Sequence, residues 1–504
     1  MRARLRPRER GSSLVLFTFI TMLVLIPMIG LAIDGATLFW VKARLAAAVD
    51  AAALAAGRDP ASDPQAIAVQ YVDANFPPGW LKTTFVSGPT GIADSPTTGT
   101  RRVTVTASVS VPLSFMRILG QNNSTLAATA ASSRRDANIF LVLDRSSSMN
   151  ITGPDGANVC QTMKASAQTF VNYFADGRDQ LTLISFTAGA HVDFGPSKLF
   201  QSSSPNLNSY ISQLACGSNT SSAMALNLAY TEIQSLKTAG LSRNGALNVI
   251  VFFTDGQPNG ITATFPVRTS TDNRYDPTNY STLQSPLALG TNYLQCSNPS
   301  GTITGVIAQW AGGAVPTGET VGLMQTDVPK GSCGNPICNG SNVPLVSAPG
   351  CMFDAKSNGA YMRQDIAYIP TQDAYGNSTN NPNYMTQSSD WVTTGPYSPN
   401  KGFRTDIPRA LVDAAFNAAD DQAQKIIHDS LGYDPVIYTL GLGGAKDAPT
   451  EDVFQRFLRR VANDPKSDIY DPSRPSGMFV YSPNDTQLAA AFQQIASQIL
   501  RLSQ

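Results

Sequence analysis

Ile139-Phe-Leu-Val-Leu-Asp144-Arg-Ser-Ser-Ser148 is the stretch that decides the fold of this chain. An unbroken apolar run that stops at an acid and a group of hydroxyls reads as a strand buried on both faces and ending in a polar loop. Leu181–Phe186, Val249–Phe253 and Val436–Leu440 are runs of the same kind. Helical patterns separate them. Val159–Phe174 places Met163, Ala167, Phe170 and Phe174 on one stripe, and Ser222–Leu236 does so with Leu226, Tyr230 and Ile233. Further helices are expected near Asp406–Leu431, Glu451–Val461 and Thr486–Leu500. Apolar strands alternating with amphipathic helices predict an α/β fold, a doubly wound, mainly parallel sheet with helices on both faces, over residues 136–504. The alternation breaks at 261–402, a Gly-, Asn-, Ser- and Pro-rich stretch read as a large insertion.

In doubly wound sheets ligands bind beyond the carboxyl ends of the strands. Three polar loops belong at that edge: Asp144-Arg-Ser146-Ser-Ser148, Gly217-Ser218-Asn219-Thr220 before a helix, and Thr254-Asp255-Gly256 after a strand. Carboxylates and hydroxyls are hard oxygen ligands, suited to Mg²⁺ or to another divalent ion such as Mn²⁺ or Ca²⁺. If the aspartates act through water, the ion stays electron-poor and a partner's carboxylate can take an open position. Each loop alone has a bland reading, since Asp-x-Ser-x-Ser recurs in Ser-rich chains and Thr-Asp-Gly is commonly a turn. Their order and strand-end placement favour the metal.

Toward the N-terminus the texture is different. Arg2, Arg4, Arg6, Arg8 and Arg10 crowd the first residues, and no charge follows from Gly11 to Ile33. Ser12–Ile33 is 22 residues, which at about 1.5 Å per residue crosses a hydrocarbon core of about 30 Å. Pro27 is placed to bend this helix. The excess of arginine before the span predicts a cytoplasmic tail at 1–11, a transmembrane helix at 12–33 and an extracytoplasmic remainder. A cleaved signal peptide is the rival reading. The apolar run is long for one, and the helical pattern continues through Leu45, Val49 and Leu54. Residues 34–135 are expected to hold the helix Ala43–Ala56, a second helix at Asp63–Asn75, and a strand at Val103–Val111 with period-two alternation. Leu126–Ala131 is expected to pair with that strand. Together these predict a small α+β unit.

Composition bounds the function. Charged residues make up 14% and the formal net charge is zero, so no field steers nucleic acid. The six cysteines, Cys160, Cys216, Cys296, Cys333, Cys338 and Cys351, all follow the span and read as disulfides of an exported region. Cys160 opens the helix after the first polar loop and Cys216 precedes the second, so these two are expected to pair, with the other four bonding within the insertion. A zinc site is disfavoured, because His191 and His428 are remote from Cys333-x4-Cys338. His191 is read in a polar turn and His428 late in a helix. No Gly-x-Ser-x-Gly elbow occurs, and Gly441-Leu-Gly-Gly444 lacks the dinucleotide spacing. The chain therefore reads as a non-enzymatic binding protein, with an envelope scaffold lacking a working metal site, or less readily a hydrolase, as alternatives.

Asp144, Ser146 and Ser148, then Ser218, then Asp255 resemble the metal-ion-dependent adhesion site of von Willebrand factor A-type (VWA) domains in motif order. The resemblance implies direct metal contact by Ser146, Ser148 and the Ser218 hydroxyl, with Asp144 and Asp255 acting mostly through water. Serine stands at 218 where the family usually has threonine, which leaves Thr220 as an alternative ligand. Arg10-Gly11, Leu31-Ala-Ile-Asp34, Asp50-Ala-Ala-Ala-Leu54, Val103–Met116, Thr254–Asn259 and the ending around Ala491-Phe492 resemble TadG-like proteins of the tight-adherence (Flp) pilus assembly system. That resemblance implies a bacterial membrane protein acting in pilus assembly or adhesion, with a pilus or envelope component as partner. Leu16 stands where prepilin-type precursors carry glutamate after their cleaved glycine, which argues against such processing.

Overall fold

A computed structural model describes residues 10–58, 63–93, 100–217, 219–242, 245–266, 302–309, 320–324, 369–380, 408–443 and 453–503. The chain forms two compact units, Met1–Arg135 and Asp136–Ser503.

In the first unit, α1 (Arg10–Arg58) is one continuous helix with Pro27 inside it. The apolar stretch and the alanine-rich helix are thus halves of one element, in keeping with the helical pattern that continues through Leu45, Val49 and Leu54. They differ in what they touch. Val15, Phe17, Phe19, Leu25, Met28 and Ile29 present their side chains outward, whereas Val41, Leu45, Ala48, Val49, Ala52 and Ala56 are buried. The buried half packs with α2 (Pro64–Asn75), whose first turn is capped by the Asp63 carboxylate accepting from the Gln65 N–H at 3.1 Å. Both helices cover one face of an antiparallel sheet ordered β1 (Thr84–Ala93), β2 (Thr100–Pro112), β3 (Asn123–Arg135). Val103, Val105, Ala107, Val109 and Val111 all point into that core, as period-two alternation requires. β1 has no counterpart in the sequence reading. Gly88 and Pro89 interrupt its pattern, and its pairing with β2 shifts register between Phe85 and Thr90.

The second unit is a three-layer α/β structure. Its elements run β4 (Ala137–Asp144), α3 (Val159–Val171), β5 (Gln180–Phe186), β6 (Ala190–Ser197), α4 (Leu207–Gln213), α5 (Ser222–Thr238) and β7 (Leu247–Thr254). There follow β8 (Gly260–Pro266), β9 (Thr302–Gln309), β10 (Thr320–Met324), α6 (Pro408–Ile427), β11 (Val436–Leu442), α7 (Val453–Val461), β12 (Met478–Ser482) and α8 (Leu488–Leu502). The main sheet has the order β12-β11-β7-β4-β5-β6. Every pairing in it is parallel except β5–β6. All four apolar runs read from the sequence are its central strands. Their alternate residues feed two cores: Ile139, Leu141, Leu143, Val249 and Val251 meet α3, α4 and α8, while Phe140, Val142, Ile250 and Phe252 meet α5, α6 and α7. Burial on both faces is why these strands lack polar alternation.

His191 is not in a turn but in the edge strand β6, opposite Ser185. The Ala-His-Val-Asp-Phe-Gly-Pro-Ser sequence of β6 mixes polar, Gly and Pro residues, as an antiparallel edge tolerates and a central strand does not. His428 stands one residue beyond α6, with Nδ1 2.9 Å from the Gln424 carbonyl and Nε2 3.3 Å from Asp471. Within the 261–402 stretch, β8, β9 and β10 form their own antiparallel sheet. The turn around Asp373–Asn377 is fastened to α6 through Gln422 and Lys425. Cys296, Cys333, Cys338 and Cys351, and with them the expected pairing inside the insertion, lie outside the described residues.

Candidate metal site at the sheet edge

β4 and β7 are neighbours in the sheet, and the chain leaves them toward opposite sides: β4 is followed by β5, and β7 by β11. The crevice at their carboxyl ends is therefore the switch point. Asp144, the last residue of β4, is fully buried. Its Oδ1 accepts the Ser146 N–H at 2.8 Å, which closes the loop on itself. Its Oδ2 accepts the Thr254 hydroxyl at 2.6 Å, which ties the end of β4 to the end of β7. Next to Thr254, the Asp255 Oδ1 accepts the Ser148 hydroxyl at 2.8 Å and the Ser146 hydroxyl at 3.3 Å. The two serine hydroxyls lie 2.9 Å apart. Ser147 between them is exposed.

The third loop approaches from the other side. Its Thr220 N–H donates to Asn259 Oδ1 at 2.7 Å, and its carbonyl accepts from the Asn259 and Gly260 N–H groups. Gly256 lies between this loop and the first: a Cβ there would stand 3.5 Å from Ser148 Oγ and 3.9 Å from Thr220 Oγ1. The structure thus brings Asp144, Ser146, Ser148, Asp255 and Thr220 to one edge. Ser218 lies outside the described residues.

Two carboxylates this close in a desolvated place resist full ionisation. Burial raises Asp144 to about 6, against the opposing bonds from Thr254 and Ser146 and the charge of Arg145. Burial and then the charge of Asp144 raise Asp255 to about 8, against its bonds from Ser148 and Ser146. Among the described residues no three His, Cys, Asp or Glu side chains gather into a metal-binding group. The donor set at this edge is instead two carboxylates with serine and threonine hydroxyls, all hard oxygens, which fits Mg²⁺ and excludes a soft-metal site. A divalent cation at this edge would favour the charged form of both carboxylates and so oppose these upward shifts. A cavity of about 210 Å³ lined by Thr152, Asp255, Leu442 and Asn484 opens beside the cluster.

Several supporting residues went unread in the sequence. Arg145 is fully buried. Its backbone N–H donates to the Phe186 carbonyl and its carbonyl accepts the Gly217 N–H at 2.7 Å. Its guanidinium donates to Ser185 Oγ at 2.9 Å and to the Ala215 carbonyl at 3.1 Å. One side chain so joins the first loop, β5 and the approach to the second loop. Burial lowers its pKa, opposed by the charges of Asp193 and Asp144. The Cys160–Cys216 disulfide, expected from sequence, is present, and the Asn150 amide donates to the Cys216 carbonyl at 2.6 Å. Nothing local marks Arg145 for this role, because its partners are 40 and 70 residues away.

Residues 139–257 match the family model of the von Willebrand factor type A domain, and residues 11–59 match the Flp pilus-assembly TadE/G-like model, Tad. The chain carries a TadE/G-like N-terminal region and a VWA domain. The VWA match covers all three polar loops and runs from β4 to the residue after Gly256. The Tad match covers nearly the whole of α1. Among solved structures, the chain is similar to the vWF domain of the type V pili tip protein Mfa5 from Porphyromonas gingivalis, with 17% identity over 74% of this chain and 97% of that one, TM-score 0.34. It is also similar to the PilB minor pilin from Streptococcus sanguinis, with 13% identity over 84% and 79%, TM-score 0.35. A von Willebrand factor type A structure from Catenulispora acidiphila has 10% identity over 82% and 50%, TM-score 0.31. No curated protein matches the chain.

Proposed function

We propose that this protein is a non-enzymatic, membrane-anchored binding protein of pilus assembly or surface adhesion, whose VWA domain captures a partner carboxylate at a divalent cation. The observation that carries the reading is the meeting of Ser146, Ser148 and Asp255 in one hydrogen-bonded node, with Thr220 across Gly256. Ser146, Ser148 and Thr220 would hold the ion by their hydroxyls, with Ser218 as the other ligand that the family pattern implies. Asp144 and Asp255 would offset its charge. The cation supplies an electron-poor position open to a carboxylate. Thr254 orients Asp144, and Asn259 fixes the backbone of Thr220. Calorimetric titration of the full chain with Mg²⁺ and Mn²⁺ tests this. The parent should take up one ion, and Ser146→Ala should weaken uptake at least about tenfold, since even outer-shell partners of metal ligands are worth about 10–100-fold in affinity.

A second reading has its own support. The serine hydroxyls already satisfy Asp255, and Thr254 satisfies Asp144, so the cluster can close without an ion. A scaffold with no working metal site would show no uptake in the parent, and Asp255→Ala would then leave partner binding unchanged.

A further inference from the structure

The β2–β3 hairpin lies lengthwise along α1, and its contacts give its direction. Gly57 faces Ser132, and the Lys42 amine reaches the Ala127 carbonyl. Farther toward the start of the helix, the Asp34 carboxylate accepts backbone N–H groups of Ser114, Phe115 and Met116 at 2.9, 2.9 and 2.8 Å. The Phe115 ring packs against Gly30 so closely that no Cβ would fit there. The hairpin therefore advances toward the N-terminal half of α1, and its turn, residues 113–122, sits beside Gly30. Gly30 is three residues inside the uncharged run that ends at Ile33, or about 4.5 Å along the helix axis.

At this turn Ile118 is 80% exposed and Leu119 76%, more than Phe17 within the span at 73%. In water, two such side chains on a tight turn would be a liability. Their turn meets α1 at Gly30 and Asp34, and on that stretch of the helix Ile26, Ile29, Leu31 and Ile33 face outward. Three backbone N–H hydrogen bonds to one buried carboxylate and a ring seated on a glycine fasten the turn to the helix.

We propose that Ile118 and Leu119 insert into the outer edge of the lipid bilayer beside the α1 span, a second and shallower membrane contact. This rests on the reading of α1 as a span. Continuity with the apolar belt argues for lipid rather than for a protein partner, because whatever surrounds residues 26–33 also meets the turn held against Gly30. Arg117 can extend its stem along the same surface while its guanidinium reaches headgroup phosphate. Asp34 is tolerated at this depth because both its oxygens accept hydrogen bonds.

The test uses the full chain in phosphatidylglycerol–phosphatidylcholine nanodiscs, with p-benzoylphenylalanine placed singly at Ile118, Ile26 or Leu241. Leu241 is an exposed leucine of the second unit. After illumination, mass spectrometry should find lipid adducts at Ile118 in a yield comparable to Ile26, and none at Leu241. Adducts at Ile26 but not at Ile118, or adducts to protein at Ile118, would overturn the insertion and leave the anchor standing. No lipid adduct at Ile26 would bring down the anchor reading, and the insertion with it.

Discussion

At the scale of single residues, the acid pair defines a pH dependence. Asp255 is raised from an ordinary value of 3.8 to about 8, so the folded, metal-free domain holds a proton there that the unfolded chain releases near pH 4. That contribution to stability is complete below pH 4 and is lost as pH rises toward about 8. Thermal unfolding in EDTA should therefore show the domain less stable at pH 8 than at pH 5. Asp255→Asn, which keeps the size and removes the charge, should flatten the slope, and Mg²⁺ should restore stability at pH 8 in the parent alone. An unchanged slope in the variant would show that Asp255 is not the group responsible. Gly256 offers a cleaner separation of folding from binding. A methyl group there meets Ser148 and Thr220 at ordinary contact distance, so Gly256→Ala should shift stability by no more than about 0.5 kcal/mol. It should nevertheless reduce Mg²⁺ uptake, because the methyl stands between two hydroxyls. Asp144, Ser146, Ser148 and Asp255 were legible because each lies at the end of an apolar run. Arg145 and Asn259 were not, since their partners are set by the topology of the sheet and by no local pattern.

At the scale of elements, the chain's legibility follows burial. β4, β5, β7 and β11 are covered on both faces and read as unbroken apolar runs. β6 and β12 are sheet edges, and β1 is a bulged edge; β6 and β1 carry polar, Gly or Pro residues that hide a strand, and β12 is only five residues long. The junctions carry their own constraints. Gly477, just before β12, has no room for a Cβ, which would clash with the Ile437 carbonyl and crowd that of Ala462. Gly477→Ala should cost about 1–3 kcal/mol in a denaturant titration, the usual range for overpacking. The Cys160–Cys216 bond closes a loop spanning 56 positions, and in the chain-entropy model that contributes about 4 kcal/mol. Replacing both cysteines by serine should lower the denaturation midpoint accordingly. Mg²⁺ affinity should fall as well, because the bond and the Asn150 amide together hold the start of the loop that leads to Thr220. A variant that loses stability but binds the ion as before would confine the disulfide to folding.

At the scale of the whole molecule, the question is which side of a membrane each part occupies. α1 changes character along its length without a break. Its first part has a mean hydropathy of 2.5 and almost no protein contact. From Asp34 onward the same helix supplies the core of the α+β unit. A helix whose apolar side chains face outward for one stretch and inward for the next is suited to leave a bilayer at the point of change, near Gly30 to Asp34. The five arginines of the tail outweigh Lys42 and Arg44 beyond the span, so the tail should remain in the cytoplasm. Disulfide formation by Cys160 and Cys216 agrees with an oxidising location for the VWA domain. Protease added to intact spheroplasts should then digest residues 136–504 and spare a tag fused ahead of Met1. Lysed spheroplasts should lose both. Exchanging Arg2, Arg4, Arg6 and Arg8 for Glu should weaken this orientation, because only Arg10 would then stand before the span against Lys42 and Arg44 beyond it. A VWA domain protected in intact spheroplasts, with Cys160 and Cys216 reduced, would reverse the topology and take the proposed extracytoplasmic partner with it.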